Sequence, residues 1–206
     1  MIDNVTVVAV TKMQRCAAIQ QVYAAGYRDF GENYLSEALP KINTLKDLDC
    51  TWHYIGNIQS NKCKNLAQYF DVVQTVSSVK ILQELNKWNQ FFNKSQQILI
   101  QIKLLPDANK GGCSCDESIA LLEMMSSLPY LRLRGFMTIL PLGISEEQQY
   151  QAFLKLKNFL DECNQNYHLD MCTLSMGMSD DYQQAIKAGS NMIRLGRAIF
   201  GEHREN

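Results

Sequence analysis

A lysine follows directly on an apolar run near the start of the chain. Residues 7–11 read Val-Val-Ala-Val-Thr, which is typical of a buried parallel strand, and Lys12 comes next. An amine at the end of such a strand is expected to be partly desolvated. Desolvation lowers the pKa of an amine and makes it a competent nucleophile toward an aldehyde. The alternative is a solvated lysine that simply ends the strand.

Two small, polar loops near the other end of the chain could bind an anion. Residues 174–181 read Leu-Ser-Met-Gly-Met-Ser-Asp-Asp, and residues 193–197 read Ile-Arg-Leu-Gly-Arg. Each segment places a glycine, Gly177 or Gly196, at the end of a predicted strand, and Ser179 or Asp180 is expected to cap the helix that follows. Exposed backbone N–H groups in such loops bind phosphate. Two ordinary tight turns are the alternative, but the equivalent positions of the glycines favour a phosphate site.

Strand and helix patterns alternate along the whole chain. Apolar runs predict eight strands, at 5–11, 29–32, 52–56, 72–76, 98–102, 133–138, 173–176 and 192–196. Helical periodicity predicts helices at 13–25, 33–44, 61–70, 79–92, 116–127, 145–167 and 180–188. Gly26 and Gly189 stand where helices are expected to end. This order predicts an α/β fold of the (β/α)8 TIM-barrel type, in a single domain over residues 1–206.

The main alternative fold is a doubly wound open sheet. Such a sheet usually binds a nucleotide through a glycine-rich first turn. The first turn here is Thr11-Lys12-Met13-Gln14 and contains no glycine. The closed barrel is therefore favoured.

A closed barrel would bring the amine and the anion loops together. Reactive groups of this fold gather at the carboxyl ends of the strands, and the first strand lies beside the eighth. Lys12 would then face the loops at Gly177 and Gly196. A phosphorylated aldehyde would satisfy both features. Pyridoxal 5′-phosphate (PLP) and the phosphosugars of class I aldolases both have this chemistry, and these residues alone leave the choice open.

Two further residues need an interpretation. Glu32 could orient a lysine by its charge, or it could pair with Arg28 or Lys62, and the sequence leaves these open. His53 is expected to pack beside Trp52, because a metal site would require ligands that the sequence does not offer. We therefore predict no metal site.

The composition excludes several classes of function. The chain carries 20 basic and 21 acidic residues, so it lacks the basic excess of a nucleic-acid-binding protein. No apolar run approaches the ~18 residues of a membrane span, and the start does not have the pattern of a signal peptide. The seven cysteines are scattered, which favours reduced thiols in a cytoplasmic protein.

Six groups of residues together resemble the pyridoxal-phosphate homeostasis protein family over essentially the whole chain. They are residues 8–12, 30–34, 52–56 with 59–62, 133–137, 175–181, and Arg194 with Gly196 and 199–201. That family in turn resembles the N-terminal barrel of alanine racemase, a PLP fold of type III. The resemblance implies that PLP, rather than a phosphosugar, forms a Schiff base with Lys12.

The resemblance also implies roles for the other site residues. Ser175, Gly196 and Arg197 correspond to the phosphate cradle, and Met176 with Gly177 would contribute backbone groups. Many relatives have threonine at position 197, so only the backbone N–H is carried over there. Arg194 corresponds to the arginine that faces the pyridine nitrogen. Asn33 would line the cofactor's side of the mouth.

The resemblance implies a protein that maintains vitamin B6 homeostasis without substrate turnover. A PLP-dependent amino-acid racemase is the alternative, and a class I aldolase is a third hypothesis. Racemisation needs a base on each face of the substrate, and in the racemases the second base is a tyrosine of another, β-rich domain. The chain ends at Asn206, so we expect that domain to be absent, and the ring of Tyr34 is expected to pack under the second helix. Apo-enzymes that use PLP are the expected recipients, and a monomer is favoured over a dimer.

Overall fold

Eight parallel strands close into a barrel in which sequence neighbours are spatial neighbours. The computed structural model describes residues 5–107 and 110–201. Strand β1 pairs with β2 on one side and with β8 on the other, so that Val8 lies opposite both Asp29 and Arg194. The strands are β1 (Thr6–Val10), β2 (Asp29–Glu32), β3 (Thr51–Tyr54), β4 (Val72–Val76), β5 (Gln96–Gln101), β6 (Leu131–Met137), β7 (Thr173–Ser175) and β8 (Met192–Leu195).

Helices connect the strands and cover the outside of the barrel. They are α1 (Cys16–Ala24), α2 (Leu35–Thr44), α3 (Cys63–Tyr69), α4 (Val79–Phe91), α5 (Cys115–Met124), α6 (Glu146–Tyr167), α7 (Tyr182–Lys187) and α8 (Arg197–Phe200). Seven of the eight lie where helical periodicity predicts them. The four-residue α8 is too short to give a periodic pattern, which is why the sequence did not reveal it.

Several boundaries differ from the predicted ones for local reasons. Helix α1 begins three residues later than predicted because Met13 has a left-handed backbone, with φ of 60°. Helix α7 also begins later than predicted. Its N-cap is Asp181 rather than Ser179 or Asp180, and the Asp181 carboxylate accepts the N–H of Met178 instead of capping the helix.

The two sides of the strands form separate packing layers. Phe30 on β2 and Trp52 on β3 face outward under the helices, with ring centroids 5.6 Å apart. On the inner side, a Cβ at Gly31 would lie 3.0 Å from Cγ1 of Val8. Because strand side chains alternate, His53 on β3 faces inward between outward-facing neighbours. The inner layer is therefore where the polar strand residues meet.

The structure confirms the predicted fold class. Gly26 and Gly189 follow helices α1 and α7 with φ of 102° and 100°, as expected for glycines that end helices. Among the described residues, no helix has the length and apolar composition to cross a membrane.

Candidate functional site

The turn that carries Lys12 lies at the carboxyl end of β1. The Thr11 N–H donates to the carbonyl oxygen of Gly31 at 2.9 Å, which continues the β1–β2 pairing to this point. The two-residue period of a strand places Lys12 on the same side as Val8 and Val10, toward the barrel axis. Lys12 itself is exposed. The expected partial desolvation of its amine stays a prediction.

Two side chains of α2 hold the residues on either side of Lys12. The Lys41 ammonium donates to the carbonyl oxygen of Thr11 at 2.8 Å. Oε2 of Glu37 accepts the backbone N–H of Met13 at 2.8 Å and lies 3.4 Å from the Lys41 Nζ. The Met13 N–H lowers the pKa of Glu37 below its usual range, so the carboxylate stays charged. Helix α2 therefore fixes both ends of the Lys12 turn.

Glu32 completes this cluster from the end of β2. It is fully buried, and its Oε1 accepts from Thr11 Oγ1 at 2.6 Å and from Lys41 Nζ at 2.8 Å. Its Oε2 has no hydrogen-bond partner. Burial raises the pKa of Glu32 above its usual range, although both hydrogen bonds act in the opposite direction. Of the open alternatives, pairing with Arg28 or Lys62 is wrong, since the partner is Lys41.

Asn33 lines a cavity at the mouth of the barrel. The cavity has a volume of about 490 Å³, and its walls also include Gly56, Gln101 and Lys62. Gly56 approaches so closely that a Cβ there would lie 1.9 Å from the Asn33 carbonyl oxygen, so the backbone at Asn33 is held firmly. The side-chain Oδ1 of Asn33 is buried and unpaired. It is an acceptor that a ligand hydroxyl or N–H could satisfy.

Tyr34 lies in the wall of the same cavity. Its residue is 58 % exposed, so the expectation that its ring packs under the second helix is wrong. The reason is that Tyr34 is the N-cap of α2, with an extended backbone, and stands outside the apolar face of that helix.

Arg194 on β8 is a buried cation beneath the mouth. Its NH1 group donates to both the carbonyl oxygen and the Oγ of Ser175 at 2.7 Å, and NH2 donates to the carbonyl oxygen of Thr138 at 2.8 Å. Burial lowers the pKa of Arg194 to about 10, against the opposing effect of Asp181. The guanidinium therefore remains protonated near neutral pH.

Ser175 lies with Arg194 in the barrel interior. Its hydroxyl is buried and donates to Oε1 of Gln74 at 2.6 Å. Because a serine hydroxyl has one hydrogen, none is left for a phosphate in this arrangement. The structure thus brings Ser175 and Arg194 together, and the assignment of Ser175 to a phosphate cradle stays a prediction.

Packing and backbone hydrogen bonds account for Gly177 and Met176 in the loop after β7. Gly177 has φ of 100°, and a Cβ there would lie 2.7 Å from the Ala185 Cβ, so packing against α7 explains this glycine. The N–H of Met176 donates to the Met192 carbonyl, and its own carbonyl accepts from Ser190. Both backbone groups of Met176 are thus already paired. Their roles toward a cofactor stay predictions.

The loop after β8 is more open. A Cβ at Gly196 would meet only Val10, at 3.6 Å, and φ there is −110°, so neither packing nor backbone conformation requires glycine. The absence of a side chain leaves room beside the β1 strand end. The Arg197 guanidinium pairs with the carboxylate of Asp180, and the Arg197 carbonyl accepts the N–H of Gly201, so the role of the Arg197 backbone N–H toward a phosphate stays a prediction.

His53 is buried, as the sequence predicts, but it lies in the barrel interior on the opposite side of β3 from the outward-facing Trp52. Its Nε2 lies 2.9 Å from Oδ1 of Asp29, and its Nδ1 lies 2.9 Å from Nε2 of Gln74. Within residues 5–107 and 110–201, no group of three or more histidine, cysteine or acidic side chains is arranged to hold a metal ion.

Comparison with known proteins identifies the family. The model of the alanine racemase N-terminal domain matches residues 1–204. The pyridoxal phosphate homeostasis protein of Synechocystis sp. (strain PCC 6803) is 44 % identical over 200 residues, which cover 97 % of this chain and 92 % of that protein. The protein of the same description from Escherichia coli K12 is 38 % identical, over 97 % and 86 % of the two chains.

Solved structures support the same assignment. PipY of Synechococcus elongatus PCC7942, solved with PLP bound, is 37 % identical with a TM-score of 0.92, covering 97 % of this chain and 93 % of PipY. An alanine racemase of Clostridium difficile 630 is 12 % identical with a TM-score of 0.81, over 99 % of this chain and 54 % of the racemase, which supports the fold alone. The chain therefore belongs to the alanine racemase N-terminal domain family and, within it, to the pyridoxal phosphate homeostasis proteins.

Proposed function

We propose that this protein binds PLP as a Schiff base on Lys12 and maintains the intracellular supply of this cofactor. The observation that carries the proposal is the exposed residue Lys12 on a turn held from both sides by Lys41 and Glu37 at the barrel mouth. The names of the relatives and the PLP-bound PipY support it. When bound, PLP supplies an aldehyde, which condenses with an amine and releases water.

The residues at the mouth fit this cofactor. The unpaired Oδ1 of Asn33 can accept a hydrogen bond from a hydroxyl or N–H of the ligand. The open position at Gly196 allows a phosphate to approach the backbone without meeting a side chain. The buried Arg194 supplies a permanent cation, which would face the pyridine nitrogen and favour its unprotonated form. An unprotonated ring withdraws electrons poorly, which disfavours transamination.

A racemase is the second candidate function. The exposed Tyr34 beside Asn33 is the observation that favours it, because a tyrosine at the mouth could supply a second base. The names of the curated relatives describe homeostasis proteins rather than enzymes. We therefore place storage and delivery of PLP first.

The partners and location follow from this role. Apo-enzymes that require PLP are the proposed recipients, with the protein acting as a cytoplasmic monomer. All seven cysteines are free, as expected in a reducing compartment. The rate at which an apo-enzyme gains PLP from this protein can be compared with the rate at which the protein releases PLP into solution. Transfer faster than release supports direct delivery, and equal rates contradict it.

Absorbance between 300 and 450 nm tests binding. Titration with PLP should produce a saturable Schiff-base band in the wild type, and the Lys12→Ala variant should show none. Pyridoxal, which lacks the phosphate, should bind far more weakly. Equal affinity for the two vitamers would refute the phosphate site.

A further inference from the structure

A chain of hydrogen bonds between side chains crosses the barrel interior from Arg194 to Asp29. Arg194 donates to Ser175 Oγ at 2.7 Å, and Ser175 Oγ contacts Gln74 Oε1 at 2.6 Å. Nε2 of Gln74 lies 2.9 Å from Nδ1 of His53, whose Nε2 lies 2.9 Å from Oδ1 of Asp29. The five side chains come from β8, β7, β4, β3 and β2.

The cation at one end fixes the direction of every bond in this chain. Arginine has only donors, so the Ser175 oxygen accepts and its own hydrogen goes to the Gln74 carbonyl oxygen. The amide nitrogen of Gln74 must then donate to Nδ1 of His53. That nitrogen is therefore unprotonated, and the ring hydrogen on Nε2 donates to the Asp29 carboxylate, which only accepts.

Gln74 and His53, in the middle of this hydrogen-bond chain, have no role in the proposed binding site. Gln74 and His53 are 0 % and 1 % exposed. Burial of an amide and an imidazole is costly unless each is hydrogen-bonded, and this chain is what bonds them. This series of hydrogen bonds in turn restricts the Ser175 hydroxyl and the Arg194 guanidinium to one arrangement.

We infer that Gln74 and His53 are positioning residues that hold Arg194 in one orientation beneath the ligand. Three N–H hydrogens of Arg194 are engaged by Ser175 and the Thr138 carbonyl. The Nε–H and the second NH2 hydrogen are not used by these three contacts. The assignment of Arg194 to the PLP ring nitrogen rests on the proposed function, whereas the hydrogen-bond chain is observed independently of it.

The first test uses the protein without ligand and reads the chain directly. In ¹⁵N spectra, His53 should be the neutral form protonated on Nε2, and the Arg194 NH2 groups should show slow rotation. The Gln74→Leu variant should speed that rotation about tenfold, the effect of about one hydrogen bond, because the Ser175 hydroxyl loses the acceptor that holds its oxygen toward Arg194. His53→Leu serves as a second variant, with a smaller change in the same direction.

Gln96→Leu is the matched control. Gln96 is also a buried strand glutamine, 1 % exposed, but it bonds the carbonyl oxygens of Leu66 and Phe70 outside the chain. This control should lose stability while the Arg194 and His53 signals stay unchanged. A His53 ring protonated on Nδ1, or equal Arg194 rotation in all variants, overturns the inference.

The second test measures binding of PLP and pyridoxal. Gln74→Leu should raise both dissociation constants about tenfold, because the two vitamers share the ring nitrogen, and Gln96→Leu should leave both within about twofold. The midpoint for protonation of ¹⁵N-labelled PLP at its ring nitrogen should rise by about one pH unit in Gln74→Leu alone. Unchanged affinities and midpoint in a folded Gln74→Leu protein contradict the positioning role. A wild type that binds no PLP instead refutes the proposed function.

Discussion

Replacing Lys41 with methionine should destabilise the protein far more than loss of a surface charge would. Lys41 is 8 % exposed, and its ammonium contacts Glu32, Glu37 and the Thr11 carbonyl. Removing one member of a buried ion pair costs about 3–5 kcal/mol, because the partner charge stays buried without compensation. Here the Glu32 Oε2 is unpaired already, so the carboxylate would keep only the Thr11 hydroxyl.

The loss of unfolding free energy in the Lys41→Met variant should depend on pH, because the environment of Glu32 shifts its pKa. The pKa of Glu32 is raised in the folded state, so this residue favours folding below its unfolded pKa and disfavours folding as pH rises through the folded pKa. Without the Lys41 charge the folded pKa rises further. The difference in unfolding free energy between wild type and variant should therefore be small near pH 4 and grow toward pH 7.

Urea unfolding at a series of pH values measures this difference. Lys87→Met is the matched control, since Lys87 lies 3.8 Å from Glu84 at the surface and should contribute less than about 1 kcal/mol. A loss below about 1 kcal/mol for Lys41→Met, independent of pH, would refute the account of the buried cluster.

Three other substitutions test the mouth. Gly196→Ala should weaken PLP binding about tenfold and leave pyridoxal binding nearly unchanged, because a Cβ there would occupy the phosphate's approach, and equal losses for both would count against the site. Ser175→Ala should lower the unfolding free energy by about 1–3 kcal/mol by leaving Gln74 Oε1 unpaired, and should weaken PLP binding only modestly, by about 0.5–1.5 kcal/mol. Holo-protein in deuterated water should exchange the α-hydrogen of alanine far more slowly than the ~10 s⁻¹ of a typical enzyme. Tyr34→Phe should not change that rate, whereas fast exchange that depends on Tyr34 and Lys12 would favour a racemase.

The sequence predicted the barrel because its signals are local and repeated. Strands such as β1, β4 and β5 contain short apolar runs, and the seven predicted helices have periodic apolar positions. The positions of Lys12 and Gly196 at strand ends follow from those runs alone. Pairing of β1 with β8, which brings Lys12 near Gly196, follows from closure of the barrel.

The polar clusters could not be predicted in the same way, because they join residues from distant strands and helices. Lys41 carried a usable signal, since it lies between Ala38 and Ile42 on the apolar face of α2. Gln74 is likewise a polar residue within the valine-rich strand β4. Neither pattern indicates which residue the buried polar side chain would bond. The orientation of Ser175 toward Gln74, and the exposure of Tyr34, depend on tertiary packing that composition and periodicity do not record.

The most direct test of the central claim is to locate the Schiff base chemically. Holo-protein is reduced with borohydride, digested, and mapped for the pyridoxyl group by mass spectrometry. We expect the label on Lys12 and its loss in the Lys12→Arg variant. A label found instead on Lys62 or Lys110, the two lysines in the wall of the mouth cavity, would contradict it.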